Sequence, residues 1–108
     1  MNVGKSMNTV KYAIGQVVRH SKQNYRGIIV DVDYSFQPQG VHSPIMIKRN
    51  ISTEHPLYRV LVDNSSYITY VKETLLTVEY GDEPICHPDL SKYLKEQDGH
   101  YLPQFQLN

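Results

Sequence analysis

The chain has 108 residues, with 11 Lys and Arg balanced by 11 Asp and Glu, five His, nine Tyr, one Cys and no Trp. That length suits one domain with one core, and no apolar run exceeds three residues, which excludes a membrane-crossing helix. The first residues lack the apolar stretch of a secretory signal, and Cys86 has no partner in its own chain, so a soluble cytoplasmic protein is expected.

Residues 1–11 read as a flexible N-terminal extension, and 12–108 as a single domain. Gln16–His20 has the Val-rich look of a short strand, introduced by Gly15. After Gly27, Ile28, Val30, Val32 and Tyr34 alternate with Ile29, Asp31 and Asp33, giving an apolar face and a face that turns polar toward its end. Ser35–Pro56 is a long connection carrying Pro38, Gly40, Pro44 and Pro56, within which Ile45-Met46-Ile47 needs cover from the body of the domain or from a partner, the former being expected. Tyr58, Val60 and Val62 alternate with Arg59, Leu61 and Asp63. Asn64-Ser65-Ser66 then makes the turn of a β-hairpin whose second strand runs through Tyr67, Thr69 and Val71. Thr74–Val78 reads as a fifth strand. Five short strands with tight connections predict an all-β fold, a small bent barrel.

A short C-terminal helix is expected after His87. Pro88 suits its first position, Asp89 its positive end, and Leu90, Tyr93 and Leu94 form an apolar stripe for docking on the barrel. Asp98-Gly99 would end it.

The balanced charge is unevenly distributed. Met1–Arg26 holds five cations (Lys5, Lys11, Arg19, Lys22, Arg26) and no acid, whereas Glu73–Asp98 holds seven acids against Lys92 and Lys95. The two stretches form either ordinary solvated surfaces or opposed basic and acidic faces, the basic one suited to a polyanion. Five cations allow only a handful of phosphate contacts. Tyr25 lies between Lys22 and Arg26, where an aromatic ring either packs at the strand entrance or stacks on a base. Arg19, His20, Lys22, Tyr25 and Arg26 are therefore the candidate DNA- or partner-binding residues. Tyr58, Tyr67 and Tyr70 fall within strands and are expected in the core or on a sheet face.

Reactive chemistry is sparse. Gly4-Lys5-Ser6 lacks the upstream glycine of a phosphate-binding loop. Asp31-x-Asp33 is better read as the polar end of a strand than as a cation site, and Cys86-His87 with His20 or His100 lacks structural zinc spacing. No activating motif surrounds Cys86. Asn50-Ile51-Ser52 and Asn64-Ser65-Ser66 are formal glycosylation acceptors that matter only on export. No catalytic residue, metal or cofactor is expected.

Two blocks carry a resemblance. The first is Tyr12-Ala13-Ile14-Gly15-Gln16-Val17-Val18-Arg19-His20-Ser21, followed by Asn24-Tyr25-Arg26-Gly27-Ile28-Ile29-Val30-Asp31-Val32-Asp33. The second is His55-Pro56-Leu57-Tyr58-Arg59-Val60-Leu61-Val62, with Tyr67, Thr69-Tyr70-Val71 and Leu75-Leu76. With Glu83-Pro84-Ile85-Cys86-His87-Pro88 and Asp98-Gly99-His100-Tyr101, the chain resembles the HspQ/YccV-like family, often labelled hemimethylated-DNA-binding. The resemblance implies an SH3-like five-stranded barrel and a non-enzymatic, cytoplasmic heat-shock-type protein. Its implied role is an adaptor that promotes degradation of denatured or regulatory proteins by an ATP-dependent, Lon-type protease. The alternative is a DNA-binding module preferring hemimethylated sites. The implied partners are the protease, its substrates, DNA or further copies of the chain, with no membrane. Lys48 and Arg49 make the Ser35–Glu54 stretch less acidic than the family pattern.

Overall fold

The computed structural model describes residues 10–33 and 56–104. The extension up to residue 9, Tyr34 and the long connection through His55, including Ile45-Met46-Ile47, lie outside the described residues. Seven strands and little helix make the fold mostly β: β1 Val17–His20, β2 Arg26–Asp33, β3 Leu57–Val62, β4 Ile68–Lys72, β5 Leu76–Val78, β6 Leu94–Gln97 and β7 His100–Pro103. The first five form one antiparallel sheet in the order β4-β3-β2-β1-β5, and β6 and β7 form a separate hairpin.

The order leaves β4 and β5 as edges, so the hydrogen bonding of the sheet does not close into a barrel. The sheet must nevertheless curl. Only a 3-10 turn, Glu73–Leu75, joins β4 to β5. Lys72 to Leu76 can reach no further than about 14 Å, whereas four interstrand steps in a flat sheet span about 19 Å. The curl brings apolar residues from all five strands together: Val18, Ile29, Tyr58, Val60, Val71 and Leu76, joined by Tyr12 from the segment before β1.

The other face of the sheet is buried as well. Ile28, Val30 and Leu61 pack against Ile85 and Leu94, with Val17, Leu90, Tyr93 and Tyr101 around them. Burial on both faces explains why Ile28-Ile29-Val30 is continuously apolar. It also breaks the expected alternation, because the register of β2 on β3 shifts between Ile29 and Asp31. This irregularity is a β-bulge, and it turns Val32 onto the inner face with Ile29, opposite Ile28 and Val30.

Two expectations change near the C-terminus. Thr74 belongs to the 3-10 turn, so the fifth strand begins at Leu76. The expected helix is a single turn, α1 at Leu90–Tyr93, after which the chain extends into β6. Asp98 and Gly99, read above as a helix stop, have φ of 55° and 81°. Positive φ at both central residues of a two-residue connection is the hairpin geometry that Asp-Gly favours. The stripe Leu90, Tyr93 and Leu94 does dock on the sheet as expected.

Both strand-opening glycines are required sterically. A Cβ on Gly15, whose φ is +93°, would lie 2.2 Å from the Tyr101 carbonyl oxygen, and one on Gly27 would lie 2.7 Å from that of Leu61.

Candidate nucleic-acid interface

The β1–β2 hairpin carries the five candidates, Arg19 and His20 in β1, Lys22 and Tyr25 in the turn and Arg26 in β2, and the side chains of all but Lys22 make contacts inside the protein. Arg19 Nε donates to Glu79 Oε1 at 2.9 Å, and Arg19 Nη1 donates to the Asn24 carbonyl at 3.0 Å. The hydrogen bond from Arg19 holds the Glu79 carboxyl below its ordinary range and raises the guanidinium in turn. Arg26 is nearly buried; its Nη1 donates to Asp63 Oδ2 at 3.0 Å, its Nη2 reaches the Glu83 carbonyl, and Glu79 Oε2 lies 3.9 Å from its Nε. The other oxygen of Asp63 accepts the Cys86 N–H at 2.7 Å. Arg26 and Asp63 thus clamp the Glu83–Cys86 segment to the sheet.

His20 is buried and serves the turn itself. Its Nδ1 accepts the backbone N–H groups of Lys22 and Gln23 at 3.1 and 3.0 Å, which closes a loop containing Asn24 at φ 60°. Tyr25 packs against the inner core, its ring 5.1 Å from that of His20 and its hydroxyl 2.8 Å from Thr69 Oγ1. Lys22 is exposed at the tip of the turn. Phosphate binding by Arg19 or Arg26 would require exchange of these carboxylates, whereas Lys22 needs no such exchange.

The fold gives Lys22 two cationic neighbours that the chain order does not suggest. The Ser21 N–H donates to the Leu75 carbonyl at 2.8 Å, which sets the β1–β2 turn against the 3-10 turn. The Lys11 N–H donates to Glu73 Oε2 at 2.9 Å, which brings residue 11 to the same place, and Lys72 directly precedes Glu73. Lys11, Lys22 and Lys72 are all exposed. The three lysines are therefore carried on segments that converge on the 3-10 turn at the β4–β5 end of the sheet, whose own carboxylate, Glu73, is already engaged.

Tyr58 anchors this end from within. Its side chain is fully buried, and its hydroxyl donates to Glu73 Oε2 at 2.5 Å while accepting the N–H groups of Lys11 and Tyr12 at 3.2 and 3.3 Å. Burial, and then the Glu73 carboxylate, push the phenol up to about 12. Tyr12 crosses Tyr58 edge-on at 5.7 Å and donates its own hydroxyl to the Leu76 carbonyl at 2.9 Å.

Tyr67 and Tyr70 lie on the surface, at 71% and 62% exposure, although placed in strands by the sequence. Tyr70 is covered on one side by the Arg59 guanidinium, 5.3 Å from its ring centre. Cys86 is exposed, and the adjacent His87 is buried with both ring nitrogens bonded to backbone, to Tyr67 O and to Asp89 N–H, each at 3.0 Å. Among the described residues, no three His, Cys, Asp or Glu side chains gather to hold a metal ion.

These contacts define a small, mostly β domain in which Arg19 and Arg26 are tied to carboxylates while Lys11, Lys22 and Lys72 stand exposed around the 3-10 turn. The family description "YccV-like: Hemimethylated DNA-binding protein YccV like" matches residues 10–101, and the chain belongs to that family. F-box only protein 21 of Mus musculus is 35% identical over 107 residues, an alignment that covers 91% of this chain and 16% of that relative. The chain thus spans only about one-sixth of that relative's length.

Proposed function

We propose that this domain is a non-catalytic recognition module of the cytoplasm, an SH3-like barrel in architecture, that binds DNA with hemimethylated duplex as its ligand. Membership of a family described as hemimethylated-DNA-binding carries the reading. The curl of the five strands and the short 3-10 turn between β4 and β5 support the SH3-like assignment. Lys11, Lys22 and Lys72 supply the phosphate contacts, because among the described residues none of the three is paired with a carboxylate. Three contacts give a log–log dependence of affinity on salt with slope near –2.7. Fluorescence anisotropy with one duplex in unmethylated, hemimethylated and fully methylated forms tests the proposal. Tightest binding to the hemimethylated form is expected, together with a markedly shallower salt slope for Lys11→Ala/Lys22→Ala/Lys72→Ala. Equal affinity for all three duplexes removes the methylation reading, and an unchanged slope removes the three lysines.

The second reading is an adaptor that promotes degradation by a Lon-type, ATP-dependent protease. The internal pairing of Arg19 and Arg26 favours it, since that pairing lowers the positive charge available to DNA. Turnover of a denatured substrate by the purified protease, with and without this chain, is its test. An unchanged rate counts against it.

A further inference from the structure

One concavity of the described surface is lined by none of Lys11, Lys22 and Lys72. It is a groove of about 520 Å³ between the segment leading into β1, the stretch after β5 and the β6–β7 hairpin. Its volume falls in the range of ligand-binding clefts. Ile14, Pro84 and Leu102 give it an apolar lining, and Ile14 and Leu102 remain 36% and 43% exposed. Asp82, Glu83 and Glu96 border the same space, all three exposed, and among the described residues no lysine or arginine lines it. Glu79 also reaches the groove, but Arg19 neutralises it, so the uncompensated charge is that of the other three. Glu83 lies 3.9 Å from Arg26, a weak contact for a side chain that is 85% exposed.

Apolar side chains left in water inside a cleft favour a partner that covers them. Carboxylates at the border select its charge, since a like-charged partner is repelled and an opposite one steered in. A nucleic acid fails the second condition and an acidic peptide does too. We propose that this groove docks an extended cationic peptide segment, in which lysine or arginine alternates with aliphatic residues. The aliphatic side chains rest on Ile14, Pro84 and Leu102, while the cations meet Asp82, Glu83 and Glu96. The site is independent of the DNA reading, because it uses none of Lys11, Lys22 and Lys72.

The test is anisotropy with a fluorescein-labelled peptide of alternating Lys and Leu, against its Glu and Leu counterpart. Saturable binding of the cationic peptide alone is expected. Asp82→Asn/Glu83→Gln/Glu96→Gln should weaken it about tenfold. Leu102→Ser leaves the charge unaltered and should also weaken it several-fold, which separates the groove from general attraction to an acidic surface. All these positions are exposed, so thermal midpoints close to the parent's are expected. DNA affinity should not fall in either variant. Absence of saturable binding, equal binding of the acidic peptide, or full affinity in Leu102→Ser would overturn the proposal.

Discussion

Tyr58→Phe isolates the hydroxyl that fastens the lysine-bearing end of the sheet. The ring of Tyr58 and its edge contact with Tyr12 are kept, and no cavity larger than one oxygen is made. What disappears is the short bond to Glu73 and the acceptor for Lys11 N–H and Tyr12 N–H. Lys11 N–H still reaches Glu73 at 2.9 Å, but the buried Tyr12 N–H loses its acceptor. Losing a hydrogen bond to a charged group and stranding a buried donor together cost about 2–3 kcal/mol. In a domain of this size that lowers the thermal midpoint by roughly 10–20 °C. The pH dependence supplies a second readout. The phenol ionises near pH 10 in the unfolded chain and near 12 in the fold. Its contribution is therefore complete below pH 10 and disappears as the pH climbs to 12, at most about 2.7 kcal/mol. Urea titrations of both proteins from pH 7 to 12 would show the parent converging on Tyr58→Phe over that interval. A difference below about 0.5 kcal/mol at pH 7, or one that stays constant through pH 12, would refute the reasoning.

Gly15→Ala should destabilise by several kcal/mol, since it combines an unfavourable φ with a backbone clash at Tyr101. Gly99→Ala, at a positive φ but with open space around it, should cost only about 1 kcal/mol; similar losses for the two in denaturant titrations would contradict the packing argument. Glu79→Gln should make stability less dependent on acid. The depressed carboxyl of Glu79 contributes fully above its ordinary pKa, and that contribution is lost as the pH falls through its folded value. Parallel stability curves for parent and variant down to pH 3 would disprove this.

Three of the five main strands were legible from alternation punctuated by Gly27 and Asn-Ser-Ser, and β1 and β5 from short runs rich in Val, Leu and Thr. Their neighbours in the sheet follow mainly from tight turns. The bulge at Val30 was not legible, since Ile28-Ile29-Val30 is apolar on both sides and alternation cannot locate an extra residue. The second hairpin was missed for a different reason. Leu90, Tyr93 and Leu94 satisfy a helical stripe, yet Asp98-Gly99 also satisfies a hairpin turn, and packing on the outer face of the sheet favoured the strands. The candidate site suffered most from reading charge along the chain. The basic first quarter and the acidic last quarter meet in space, where Glu79 and Glu83 come to Arg19 and Arg26. Lys72 lies far along the sequence from Lys11 and Lys22, and nothing local marks it as their neighbour.

Gly15 seats the segment before β1 directly against the backbone of the β6–β7 hairpin at Tyr101. That seam ties residues far apart in the described chain into one body, so loosening the second hairpin would slacken the entry to the main sheet as well.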